Sequence, residues 1–533
     1  MSAAAQTIPE TTSASRDDRF AAHLVHLPLD IFYYIGPFIP QRDLSRIART
    51  CRHLHGILDA GLAKHTVVKY EHLPSFQQWL RIGISDSGRS RACLLQHLTL
   101  KGLERYSLPL VLEYRETIIV QILANSPNLV SLSLADLSAV LSPQRLRTAL
   151  ITLPSLQHLT LSSVAPGYDD TLAGILPRLH TVDISYAPRW IGESMGFVDP
   201  FFLLRSHQHT LQTLSLDSVR LMSHDAPFAA LRKLELRSVW LSDGVGNLIH
   251  LFPNIHELSL LDLHYTNPRV RFWRNPGRIL ERGYLDINDA LELRNTSKAW
   301  QTAHGSWGAL HHLAVETALG LYSLGLRCQV DGIQVLDTST FAYAESDREL
   351  RAVMPAVLAD VRPRRLAVDI PMRKCFEIIS AVLGPLARSP SVTHLTVSFS
   401  LGMLLSIGLA DILTKLGAIL CDSAVSHLTI QVGREQSSDT VTSPSTHGAC
   451  RRATSSAQEF AQGPAVPPSL KCLALELYFL GSVKVWHVGE EGMWEELRDS
   501  EGQRLMRVEN MELSADAFHP SPFNPGSGTA ASV

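Results

Sequence analysis

No run in this chain approaches the ~18 consecutive apolar residues of a membrane span, so no transmembrane helix is expected. It also has no excess of either charge. Its 533 residues carry 48 Lys and Arg against 51 Asp and Glu, a net charge of -3. That balance gives no reason to expect nucleic acid or an anionic membrane as a partner. Cysteine is sparse: seven are scattered at positions 51, 93, 328, 375, 421, 450 and 472, and no pair has C-x-x-C spacing. Neither a zinc site nor a redox pair is expected; buried free thiols in a reducing compartment are. Residues 1–23 are small and polar, with Glu10, Asp17 and Asp18 among them. They contain no apolar core of a signal peptide, and the acids argue against a transit peptide. The expected location is the cytoplasm or nucleus.

Catalytic and cofactor signatures are missing too. There is no P-loop, no G-x-G-x-x-G and no H-E-x-x-H. Gly192-Glu193-Ser194-Met195-Gly196 matches the nucleophile elbow G-x-S-x-G, but that elbow needs a buried strand directly before it. Ala187-Pro188-Arg189-Trp190 reads as a loop instead. The expectation is a non-enzyme without cofactor or metal; a hydrolase built on Ser194 is the remote alternative.

Between residues 24 and 64 the sequence has helical periodicity. Leu27, Ile31, Ile35 and Phe38 recur at intervals of four, four and three; Leu44, Ile47, Cys51 and Leu54 follow at three, four and three. Pro40 suits the opening of the second helix, and Gly56 breaks it before a third short segment, 57–63. Three short helices bury little on their own, so the surplus apolar side chains need a partner. Leu27-Pro28, Ile39-Pro40-Gln41-Arg42-Asp43-Leu44 and Cys51-Arg52-His53-Leu54 stand in the order and register of a known motif, and the module resembles the F-box. That resemblance implies docking on a Skp-type adaptor, and through it on a cullin of a ubiquitin ligase. By position it implies Leu27, Pro28, Ile31, Ile39, Pro40, Leu44 and Leu54 as the adaptor-contacting set.

The rest of the chain repeats the phrase L-x-x-L-x-L. It starts at Leu95, Leu129, Leu156, Leu179, Leu211, Leu231, Ile255, Leu310, Val392, Val425 and Leu470, with a weaker copy at Pro363. Between 95 and 255 the starts lie 20 to 34 residues apart, which resembles a leucine-rich-repeat array. The alternation predicts short strands with apolar residues on one face, stacked in parallel, with segments such as 141–151 returning between them. Where that family often carries Asn, this chain has Leu103, Leu137, Val164, Val219, Val239 and Leu263, so the backbone groups at that corner must find other partners. The other strand face is polar and His-rich: Gln96, His97, Thr99, Gln157, His158, Thr160, Gln212, Thr213, Ser215, Arg232, Lys233, Glu235, His256, Glu257, Ser259, His311, His312, Arg364, Arg365, His394, Thr396, His427 and Thr429. A solvated face is expected there, with His394 and His427 side by side.

A gap near 265–305 leaves room for an insertion. It opens with Arg269, Arg271, Phe272, Trp273, Arg274 and Arg278, and Arg269, Arg271, Trp273, Arg274 and Arg278 are candidates for holding a phosphorylated or acidic substrate segment. The alternative is a solvated loop. The expected class is therefore α/β: a three-helix F-box followed by an irregular leucine-rich-repeat solenoid with a parallel sheet. The expected layout is a disordered N-terminus (1–23), F-box (24–64), linker (65–92) and solenoid (93–432). A disordered loop (433–468), last repeat and C-terminal cap (469–518) and disordered tail (519–533) complete it. Such a chain would be the substrate receptor of an SCF-type ubiquitin ligase, binding a Skp-type adaptor at one end and a protein substrate at the other. The alternative is a repeat scaffold that acts without the ligase.

Overall fold

A computed structural model describes Asp43, Arg46 and Ile47 and residues 63–81, 90–102, 109–165, 168, 178–186, 200, 204–221, 227–241, 245–265, 287–339, 348–371, 374–433, 444–477, 482–489 and 492–508. The protein is mixed α/β with a mostly parallel sheet, and it divides between Leu179 and His180 into two compact units.

In the first unit, β1 (His65–Lys69) leads into α1 (Leu73–Arg81) and β2 (His97–Lys101). Next come α2 (Pro109–Ala124), β3 (Ser131–Leu134), α3 (Leu137–Val140), α4 (Pro143–Ile151) and β4 (His158–Val164). β1 to β4 pair in chain order, all parallel. Within 65–92, expected as a linker, residues 65–81 and 91–94 are ordered elements of the unit. Lys64 accepts from the Gln96 amide, Val68 is buried, and β1 pairs residue for residue with β2.

The second unit runs β5 (Thr181–Tyr186), β6 (Thr213–Asp217), β7 (Arg220–Leu221), β8 (Lys233–Leu241), α5 (Val245–Leu251), β9 (Glu257–Tyr265), α6 (Ile287–His304) and β10 (Ala309–Thr317). It continues through α7 (Ala318–Leu324), β11 (Gln329–Asp337), α8 (Arg348–Val361), β12 (Arg365–Ile370), α9 (Cys375–Leu383), β13 (His394–Phe399), α10 (Leu401–Ser406), α11 (Leu409–Leu420) and β14 (His427–Val432). α12 (Pro444–Gln462), β15 (Cys472–Leu477), β16 (Ser482–Val488), β17 (Trp494–Glu496) and α13 (Asp499–Val508) close it. Pairing is parallel from β5 to β15 and antiparallel through β16 and β17.

The leucines of the repeated phrase form the core between strands and return helices. Leu98 and Leu100, Leu132 and Leu134, Leu214 and Leu216, Leu234 and Leu236, and Leu395 and Val397 are all buried. Each such side chain contributes roughly 1.5–3 kcal/mol by leaving water. The return helices bury a matching stripe: on α11 it is Leu409, Ile412, Leu413, Leu416 and Leu420. Side chains cap two of these helices, Thr317 accepting from the Gly320 amide and Ser400 from the Met403 amide. Gly246 on α5 lies where a Cβ would come within 2.6 Å of the Trp300 ring, so only glycine lets α6 pack that closely.

The corner that lacks asparagine is built another way. The residue before each of these positions is left-handed: Gly102 (φ 74), Asp136 (φ 51), Ser163 (φ 55), Ser218 (φ 62), Ser238 (φ 47) and Asp262 (φ 52). This kink carries Leu137, Val164, Val219 and Val239 into the core. Short polar side chains tolerate that conformation because they bond locally. Ser238 donates to Asp262 (2.9 Å), Ser218 donates to Asp217 (2.9 Å), and the Asp136 amide donates to the Ser162 hydroxyl (3.3 Å). The Ser218 amide is taken by the Arg237 carbonyl.

One expected segment is corrected, and the expected insertion contains a helix. Within 433–468, residues 444–462 form α12, which buries Ala449, Cys450, Ala453, Ala457, Phe460 and Ala461. Its small residues read as low complexity, yet alanine is the strongest helix former and lets α12 lie close to α11. Within 265–305, residues 287–304 are helix α6, tied to α8 by Arg294, which bonds Asp360 and the Tyr322 carbonyl, and by Lys298 on Asp360 (2.8 Å). No described helix is long and apolar enough to cross a membrane.

Candidate functional site

Alternation puts one polar side chain per two residues on the strand face opposite the return helices. In the first unit the leading rung is His65, His97, Ser131 and His158. His65 and His97 stack at 4.1 Å between ring centroids, with 8° between planes. Burial, then Lys64, lowers the His65 pKa; burial, then His65, His158 and Lys64, lowers that of His97. Both shifts favour the neutral ring.

In the second unit the leading rung is Thr181, Thr213, Lys233, Glu257 and His312, and after Gly332 it continues with Arg365, His394 and His427. Over β5 to β9 the face is half-exposed and charged. Lys233 meets Glu257 at 3.4 Å, and Arg237 bonds Glu235 through Nε at 2.7 Å. Asp183 sits behind them with its pKa raised, chiefly by burial; Ser215 opposes that by a hydrogen bond, and Glu235 and Asp217 add to it.

From β11 onward the same face is closed rather than solvated, which corrects the sequence expectation. Gln334, His394, Thr396, Ser398, Thr429 and Gln431 are buried, with Thr429 only 1% exposed. His394 and His427 do lie side by side, as their register requires. Thr393 and Ser426, the residues immediately before them, hold the ring Nδ1 atoms at 2.8 and 2.9 Å. A hydrogen-bond relay crosses three strands: Ser398 to Gln431 (2.9 Å), then Gln431 to Glu476 (3.0 Å). Arg365 pairs with Asp331. His312 is half-buried among Glu257, Arg365 and Lys233, and loss of solvent above all pushes its pKa down to about 4, with Glu257 opposing.

At the last strands α13 covers this face. Met506 packs with Cys472, Ala474 and Val485, and a Cβ on Gly502 would stand 2.9 Å from Val485. Sequence reading placed a C-terminal cap at 469–518 without saying which strand face it meets, and it missed β1 and β11. The signal for β11 was present as Val330, Ile333 and Val335, all buried, in the phrase spacing.

Chemically, the open half offers paired charges and hydroxyls, and the closed half offers oriented amides and imidazoles. Among the described residues no group of three or more His, Cys, Asp or Glu is placed to hold a metal ion. Of the described cysteines, Cys328, Cys375, Cys450 and Cys472 are buried and Cys421 is exposed; no disulfide joins the described cysteines. Several sequence candidates lie outside the described residues: Leu27, Pro28, Ile31, Ile39, Pro40, Leu44 and Leu54; Arg269, Arg271, Trp273, Arg274 and Arg278; and Ser194. A scan against protein-family models and a search of curated proteins returned no match to this chain.

Proposed function

We propose that this chain is the substrate-recognition subunit of a cullin-based ubiquitin ligase. Residues 24–64 act as an F-box on a Skp-type adaptor, and the strand units act as leucine-rich-type repeats on a protein substrate. The observation that supports this most is the polar rung on the parallel strands of the second unit. Its open half, from Thr181 to Glu257, presents alternating donors and acceptors at one strand spacing. Extended rungs of this kind suit a protein surface better than a small molecule. The chain's contribution to ubiquitin transfer is proximity, which raises the effective concentration of substrate at the ligase. Proximity labelling with and without proteasome inhibition tests it. Neighbours that accumulate only under inhibition are expected, and a neighbour set indifferent to inhibition favours a scaffold acting without the ligase.

A further inference from the structure

The two units carry the same strand face with different chemistry. In the first unit the leading rung is His65, His97, Ser131 and His158, and the next is Val67, Thr99, Ser133 and Thr160. Neither rung holds an acid. In the second unit the leading rung holds Glu257, and the next holds Asp183 and Glu235. Acids stand at the trailing end of the first-unit face, beside its lysines. Lys69 and Lys101 are neighbours in register, Glu71 meets Lys69 at 3.7 Å, and Asp136 occupies the left-handed corner beyond β3. The face is open: His65 and Val67 are exposed, and the other six positions of the two rungs are half-buried. His97 lies at its centre, with His65 stacked on it at 4.1 Å. The charged and titratable side chains on this side of the sheet are Lys64, His65 and Lys69 from β1 and the residue before it, Lys101 from β2 and His158 from β4. Burial first, then His65, His158 and Lys64, lowers the pKa of His97, and among the described residues no carboxylate opposes them. The imidazolium form of His97 therefore needs an anion from outside the molecule.

We propose that the open face of the first unit is a docking surface for an acidic segment of a partner protein, with a carboxylate seated over His65 and His97. Charge complementarity selects an anion, because the leading rungs offer imidazoles and hydroxyls without a competing acid. The small side chains of the second rung leave room for the segment to lie flat. Binding is coupled to a proton. An anion over the ring raises the pKa of His97 back toward its ordinary range, so the complex takes up a proton that the free chain does not hold. Coupling of this sign also favours carboxylate over phosphate. A carboxylate stays ionised across the interval in which the imidazole charges, whereas a phosphate, with a second pKa of about 6, takes up protons over the same interval. The proposal deepens the substrate-recognition reading and rests on its premise that the strand face binds protein; it makes no use of residues 24–64.

The test uses the full chain and a fluorescein-labelled nine-residue peptide of Ala and Ser with glutamates at its fourth, fifth and sixth positions. Fluorescence polarisation should show saturable binding that tightens about fourfold from pH 7.5 to pH 6.0. The same peptide with glutamines should show no such gain, and one with phosphoserines should gain less. His97→Gln should abolish the gain. His256→Gln/His311→Gln, a pair of touching rings on the second unit, should keep it. Calorimetry of the parent chain at pH 6.5, in two buffers of unequal ionisation enthalpy, should show net proton uptake on binding. Absence of binding at millimolar peptide overturns the proposal, as does binding without proton uptake. A gain that survives His97→Gln, or that the second-unit variant loses equally, overturns it too, and a larger gain with phosphoserine overturns the choice of carboxylate. If His97→Gln melts early, the calorimetry decides, because it uses the unaltered chain. No adaptor enters these measurements, so the docking surface and the ligase reading fail separately.

Discussion

His394 and His427 stack face to face across neighbouring strands, 4.3 Å between centroids and 2° between planes, on a face that leaves His394 only 6% exposed. Each ring is aimed by the hydroxyl of the residue before it. The pair is thus a packed element of the core's polar side. A double-mutant cycle with His394→Ala and His427→Ala should give a coupling energy of about 1 kcal/mol in urea unfolding. Additive losses would mean the two rings do not interact.

His312 gives the fold a pH dependence of defined sign. Its folded pKa of about 4 lies below the ordinary 6.5, so between those values the unfolded chain takes up a proton that the folded chain does not. The stabilisation is complete above pH 6.5 and is lost as pH falls through 4, about 3 kcal/mol in all. Urea midpoints from pH 7 to 4 should fall less steeply in His312→Gln than in the parent.

The left-handed corners predict an unusual substitution pattern. At Ser163, with φ 55, glycine should be tolerated or slightly stabilising, whereas valine must hold a β-branched side chain in a conformation it avoids. Ser163→Val should be less stable than Ser163→Gly by roughly 2 kcal/mol in thermal or urea unfolding. Equal stabilities would contradict the corner.

The Arg294–Asp360 pair joins α6 to α8 with Arg294 6% exposed. Asp360→Ala leaves that guanidinium buried beside the Tyr322 and Ala356 carbonyls alone. The expected cost is about 3 kcal/mol, more than Lys298→Ala, because Lys298 is partly exposed.

Much of the sheet was legible because alternation is a local property. Leu98 and Leu100, or Leu214 and Leu216, announce a strand wherever they stand. β11 escaped because Gly332 lowers the strand preference of a phrase whose Val330, Ile333 and Val335 are otherwise in register, and β1 because His65-Thr66-Val67-Val68 carries no leucine. α12 escaped because its buried face is alanine. The neighbouring positions of His394 and His427 followed from phrase register alone. Their burial did not, because it depends on what faces the strand, and a cover such as α13 over Cys472 and Ala474 leaves no mark in the phrase itself. The left-handed Ser and Asp corners were equally silent, since those residues fit many loop conformations.

The ligase reading turns on residues 24–64. The most direct measurement is co-purification of the full chain with a Skp-type adaptor at micromolar concentration. The account predicts a one-to-one complex that Leu27→Ala/Pro28→Ala abolishes without altering the chain's melting. No complex, or one indifferent to Leu27 and Pro28, would contradict it.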